Sequence, residues 1–121
     1  MNLRTEPLAV QHDETIAGGA ISPFCPRFQY TLELIGRRWV GAILRALLNG
    51  PRRFNEILAA IPGLSDRLLT ERLRELEGEG ILVRFVADAR PVRVTYELTP
   101  CGRSLEPVIQ SVSAWAEAWV Q

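Results

Sequence analysis

The chain has 121 residues, is 47% hydrophobic and is formally neutral, a profile that suits one globular domain and excludes a chain too polar to build a core. No apolar run approaches the roughly 20 residues that a membrane-spanning helix requires, and residues 1–22 lack the basic head and apolar stretch of a signal peptide. The expectation is a cytoplasmic protein with no membrane partner.

The neutral total hides an asymmetry. Residues 23–103 carry 13 arginines against nine acids, a net +4, whereas residues 1–22 and 104–121 each carry −2. A basic centre between acidic ends fits a polyanionic partner better than the total suggests. All 14 cations are arginine; this suits bidentate contacts to phosphate and guanine, but a GC-rich genome, which favours arginine codons, is the preferred explanation. Cys25, Cys101 and a single histidine, His12, cannot make a four-ligand zinc site of cysteine and histidine within one chain, so no metal or cofactor is expected.

Residues 1–22 are polar or small, show no sustained period and read as a flexible arm. A single domain is expected over residues 23–121. Pro26 fits the first position of a helix and makes Cys25 its N-cap, with Phe28, Leu32 and Ile35 following at helical spacing. A second helix is predicted from about Arg38 to Leu48, where Trp39, Ile43 and Leu47 recur every fourth residue, and Asn49-Gly50-Pro51 stops it. Phe54, Ile57, Leu58 and Ile61 mark a short third helix, and Pro62-Gly63 ends it.

Ser65 then caps a fourth helix, predicted from about Asp66 to Glu77. Two helices joined by so short a glycine-containing turn form a helix-turn-helix. Leu69, Leu73 and Leu76 fall within about 60° of one another around the helix axis and face the core, which turns Arg67, Thr70, Glu71 and Arg74 outward. The period then changes to two. Val83 and Phe85 share a face, and Val92, Val94, Tyr96 and Leu98 alternate with Arg93, Thr95 and Glu97, which predicts a hairpin with a loop of about five residues. Thr99-Pro100 opens a last helical segment lined by Leu105, Val108, Ile109, Val112, Trp115 and Trp119. The fold class is therefore mostly α with a small β hairpin (α+β), a winged helix-turn-helix dimerising through its terminal helices.

The stretch from Cys25 to Trp119 resembles the HxlR family, a branch of the MarR-like winged-helix regulators. The matching pieces include Leu34-Ile35-Gly36 with Arg38-Trp39, Arg53-Phe54-Asn55-Glu56-Ile57, Ile61-Pro62-Gly63-Leu64-Ser65, Leu73-Arg74-Glu75-Leu76-Glu77 and Tyr96-Glu97-Leu98-Thr99. Arg38 stands where the family usually has lysine, Thr95 where it often has glutamate, and the arm and Cys101 have no counterpart. The resemblance implies a homodimeric repressor or activator, here read as a repressor. It also implies, for some members, sensing of oxidants or electrophiles through the cysteine in the position of Cys25.

The candidate sites follow from these placements. A recognition helix needs short or forked polar side chains facing out, and Arg67, Thr70 and Arg74 fit base readout, with Ser65 at the helix N-terminus suited to a phosphate. Glu71 either accepts from a cytosine amino group or pairs with Arg67 or Arg74. Arg90 and Arg93 in the wing suit phosphates or the minor groove. Arg52 and Arg53 precede the third helix and suit a clamp on the DNA backbone, unless one of them braces the fold instead.

Cys25 faces the positive end of its helix dipole with Arg27 nearby, a setting that stabilises negative charge on sulfur. It is either a sensing thiol or an inert residue packed near the dimer contact. Phe28, Leu105, Val108, Ile109, Val112, Trp115 and Trp119 are the expected dimer surface, though a small aromatic effector fits the same apolar space. Trp39 is expected to pack beneath the second helix. The expected partners are double-stranded DNA, a second copy of the chain, and an oxidant or small-molecule effector. A winged helix used only for protein interaction is the competing reading. With no nucleophile–base pair, no paired carboxylates in a cleft and no phosphate-binding glycine loop, an enzyme is not expected.

Overall fold

The helix with the most apolar sequence becomes the centre of the molecule. In a computed structural model that describes residues 21–121, Val40, Ile43, Leu44 and Leu47 of helix α2 (Val40–Leu48) are all buried. Residues 1–20, with His12 and most of the expected arm, lie outside the described residues. Around α2 stand α1 (Pro26–Ile35), α3 (Phe54–Ala60), α4 (Asp66–Gly78), a two-stranded antiparallel sheet of β1 (Leu82–Ala87) and β2 (Arg93–Leu98), α5 (Pro100–Arg103) and α6 (Glu106–Trp119). One core joins Leu34, the α2 residues, Ile57, Ile61, Leu64, Leu69, Leu73, Leu76, Ile81, Leu82 and Leu98. Each fully buried leucine or isoleucine contributes about 1.5–3 kcal/mol of transfer free energy.

The expected second helix starts two residues late. Trp39 is its N-cap and has φ 75°, a left-handed conformation, which a large side chain rarely adopts and which blocks helical propagation through Arg38. The Trp39 ring is half-buried against the core and reaches the turn between α3 and α4, where a Cβ on Gly63 would stand 3.4 Å from the ring edge, and the Arg38 guanidinium lies 5.3 Å from the ring centroid. Gly63 itself has φ +88°, so the turn needs glycine for its backbone.

The hairpin register pairs Leu82 with Leu98, Arg84 with Tyr96 and Val86 with Val94. Leu82 and Leu98 therefore share the core face, and Val83 and Phe85, one residue out of phase, are exposed. Arg52 extends the sheet by one residue: its N–H donates to the Tyr96 carbonyl (3.0 Å) and its own carbonyl accepts from the Tyr96 N–H (2.7 Å).

Thr99 caps α5 as the sequence predicts, accepting from the Gly102 N–H at 3.1 Å while its hydroxyl donates to the Gly80 carbonyl at 2.6 Å. A side chain at Gly102 would place Cβ 2.2 Å from the Ile81 carbonyl oxygen, so only glycine allows this close approach. The last helical segment is broken at Ser104 and Leu105. Pro107 lies in the first turn of α6, where its missing N–H removes a bond that a continuous helix would need.

Candidate nucleic-acid interface

The outer face of α4 is set by its inner one. Because Leu69, Leu73 and Leu76 are buried, helical geometry turns Arg67, Glu71 and Arg74 to the exposed side, with Thr70 half-buried at its margin. Ser65 caps the helix, its Oγ accepting from the Leu68 N–H at 3.1 Å. The Thr70 hydroxyl donates to the Asp66 carbonyl at 2.8 Å, which leaves its oxygen free to accept at the surface.

Glu71 pairs with Arg67: Nε and Oε1 are 3.3 Å apart, and the Arg67 side chain is 89% exposed. An ion pair this open to solvent is worth about 1 kcal/mol or less, so Arg67 is held near the helix surface at little cost to later engagement of another anion.

In the wing, Arg90 lies in the loop after β1 and Arg93 begins β2, and both are exposed. Arg84 on β1 is exposed as well and was missed. It stands between Val83 and Phe85 in the alternating run, and an arginine in a wing strand is itself a signal. Arg52 and Arg53 brace the fold through their main chains. Arg52 makes the bridge to Tyr96, and Arg53 is the N-cap of α3, its N–H donating to Glu56 Oε1 at 2.8 Å. The Arg53 side chain stays exposed and that of Arg52 belongs to a half-buried residue.

Cys25 is the N-cap of α1, and its sulfur accepts from the Phe28 N–H at 3.4 Å. It is half-buried, as is Cys101. Phe28 is exposed to 61%, and Phe24 and Leu32 beside it are exposed too. The apolar stripe on the last helix divides. Leu105 and Ile109 pack against the core, whereas Val108, Val112, Trp115 and Trp119 face solvent. Both α1 and α6 lie against α2.

Sequence reasoning also missed a polar network on the other side of α4. Arg72 turns inward, Nε donating to the Arg38 carbonyl at 2.9 Å and Nη1 meeting Glu75 Oε1 at 3.1 Å. Glu75 Oε2 takes Arg37 at 2.9 Å. The Tyr30 hydroxyl donates to Glu79 Oε1. That hydrogen bond, with burial and the Glu79 charge adding to it, raises the Tyr30 pKa above its ordinary value near 10. The signal available was the spacing of Arg72, Glu75 and Glu79 along one side of α4, which reads equally as a solvated face.

Among the described residues there is no group of three or more potential metal ligands, and no helix is long and apolar enough to cross a membrane. The HxlR-like helix-turn-helix family profile matches residues 34–121. The uncharacterised HTH-type transcriptional regulator YvaP of Bacillus subtilis (strain 168) is 48% identical over 99 residues, covering 82% of this chain and 92% of YvaP. The reduced form of the transcriptional regulator YodB from B. subtilis superposes with a TM-score of 0.74 at 42% identity, covering 81% of this chain and 96% of YodB. YodB has also been solved treated with diamide and bound to quinone, each with a TM-score of 0.70 and 41% identity, covering 82% and 79% of this chain and 98% and 100% of YodB. The redox regulator HypR in its oxidised form gives a TM-score of 0.75 at 39% identity, covering 80% of this chain and 99% of HypR. With the winged helix-turn-helix in place and these likenesses spanning most of the molecule, the chain belongs to the HxlR family of MarR-like helix-turn-helix transcriptional regulators and is not an enzyme.

Proposed function

We propose that the protein is a repressor that binds double-stranded DNA as a homodimer and loses or changes that affinity when Cys25 is oxidised or alkylated. The observation that carries the DNA reading is the exposed outer face of α4. It offers Arg67, Thr70 and Arg74 to base edges, with Ser65 at the helix start and the wing arginines Arg90 and Arg93 suited to the phosphates. The residue reading extends to Glu71 as a partner that orients Arg67, and to Arg53 as a backbone contact. Arg52 acts mainly by holding the wing.

The dimer contact is formed by Phe28 of α1 with Val108, Val112, Trp115 and Trp119 of α6, large apolar residues that the described chain leaves 40–74% exposed. Leu105 and Ile109 support that surface from inside. A two-fold dimer presents two equivalent recognition helices, so the operator is an inverted repeat with half-site centres about 10 bp, or a multiple of that, apart.

Cys25 is well placed for a switch because it begins the same helix that carries Phe28. The YodB and HypR structures, solved with oxidants, with quinone or in two redox states, favour this reading over an inert thiol. With a quinone, the Cys25 thiolate adds to a ring carbon and the electron pair passes to a carbonyl oxygen; one proton from solvent and the hydrogen displaced from the attacked ring carbon then complete the two hydroxyls of a thioether hydroquinone.

Gel shifts across a salt series, on the promoter of the protein's own operon, test the whole. Specific binding that weakens steeply with salt supports it. Wild-type affinity that is changed by diamide or benzoquinone, with Cys25→Ser unaffected, supports the switch. Affinity that ignores both reagents in wild type removes the switch and leaves the DNA reading standing.

A further inference from the structure

The facing sides of α1 and α4 are not close-packed. Between them lies a cleft of about 260 Å³ lined by Tyr30, Glu33, Leu34, Arg37, Glu75 and Glu79. Two polar bridges span it, Tyr30 to Glu79 and Arg37 to Glu75, and Arg72 ties Glu75 to the Arg38 carbonyl in the turn before α2. The buried leucines of α4 stop at Leu76, whereas Glu79 is the C-cap residue. The apolar core thus holds one side of α4 from Leu69 to Leu76 and continues into Ile81 and Leu82, whereas the side that faces α1 is held by hydrogen bonds and charge. Glu79 Oε2 is buried without a partner among the described residues, so the hydrogen bond from Tyr30 is the one that anchors this carboxylate.

We propose that Tyr30 and Arg37 are positioning residues for DNA binding: by holding Glu79 and Glu75 they fix the tilt of the recognition helix against the dimerisation helix, and thereby the half-site spacing that the dimer accepts. This rests on the homodimeric DNA-binding reading above. A 13-residue helix is about 20 Å long at 1.5 Å per residue and moves as one rod, so a shift of about 1 Å towards or away from α1 at its C-terminal end changes the direction in which its N-terminal end points. Both recognition helices must enter their grooves together, one helical turn apart, and the tilt of each is read as a spacing. Close-packed apolar contacts resist such tilting because they have no slack. Across an open cleft the directional bridges supply that resistance on the α1 side.

The experiment compares wild type with Tyr30→Phe, Glu79→Ala, Glu79→Gln and Arg37→Met on a set of operators whose half-site spacing varies in single base pairs. Wild type prefers one spacing. In Tyr30→Phe, Glu79→Ala and Arg37→Met, the ratio of affinities for the preferred and neighbouring spacings falls roughly three- to tenfold, the scale of one lost hydrogen bond. Glu79→Gln keeps an oxygen that accepts from Tyr30 and keeps the preference. Binding to an isolated half-site and sedimentation as a dimer are unchanged in all four. Combining Tyr30→Phe with Glu79→Ala loses no more than either alone, because the two act through one bond. Arg37→Met alters an exposed bridge and reads the same effect should either of the other variants fold poorly.

Variants that keep the wild-type spacing preference overturn the positioning role and leave the dimer standing. Wild type that binds every spacing alike overturns the dimer reading and this inference with it.

Discussion

Replacing Trp115 tests the dimer contact with the least ambiguity, because the side chain does little for the folded protomer. It is 62% exposed, and Val112, one turn before it, is 61% exposed. A tryptophan offers up to about 250 Å² for burial, so the exposed part of Trp115 is roughly 150 Å². At about 25 cal/mol per Å², covering it contributes nearly 4 kcal/mol, and two-fold symmetry doubles the gross figure to about 8 kcal/mol. Ordering and imperfect desolvation consume much of such a sum, and truncation of a central aromatic commonly costs about 2–4 kcal/mol. Trp115→Ala, which changes both protomers at once, should therefore raise the dimer dissociation constant by about three orders of magnitude, or 4 kcal/mol at 1.4 kcal/mol per tenfold. Trp115→Glu with Val112→Glu places four carboxylates in the interface and should leave monomers at micromolar concentration. Sedimentation velocity over a concentration series reads the equilibrium, and the melting temperature reads the fold. The expected result is a monomer that melts by unfolding the same core, since neither side chain belongs to that core. A double variant that still sediments as a dimer with wild-type affinity would refute the assignment of α6 to the interface.

Arg67→Ala and Thr70→Ala should each cost about 1–3 kcal/mol on the specific operator and relax sequence preference there, as footprinting against operator variants will show. Arg90→Ala should instead weaken specific and nonspecific binding alike and reduce the salt slope by about one unit; equal loss on all sequences for both classes would mean the reading face is misplaced. The two glycines Gly102 and Gly78 should respond with opposite signs. Gly102→Ala forces Cβ to 2.2 Å from the Ile81 carbonyl oxygen and should destabilise by several kcal/mol, or roughly 3, in denaturant titrations. Gly78→Ala meets nothing within 4 Å and should stabilise by up to about 1 kcal/mol through helix propensity. Tyr30, whose pKa the bond to Glu79 raises above its unfolded value near 10, contributes stability that is full below pH 10 and is lost as pH climbs through the raised value. Wild type should therefore lose stability faster than Tyr30→Phe above pH 10, and parallel curves would mean the bond contributes nothing.

What this sequence determines by itself is local. The Cys25–Pro26 helix start, the Ser65 and Thr99 caps, the Gly63 turn and the change from helical to alternating period in the wing all depend on residues within a few positions of one another. Each is in the structure where the sequence places it. The outward face of α4 was legible for the same reason, because three leucines at helical spacing dictate what points away from them. Only the tertiary structure decided which apolar residues go inside. Leu105 and Ile109 share a stripe with Val112 and Trp115, yet the first two reach the core and the others do not. On α1 it is Leu34, and not Phe28 or Leu32, that is buried. Burial depends on what lies opposite, and nothing in a helical period says which elements will stand there. The same holds for the polar ties. Arg52 meets Tyr96, Arg72 meets Arg38, and Tyr30 meets Glu79 across 49 residues of chain. Such partners become neighbours only after the core has closed, so their spacing in the sequence carries no trace of the contact.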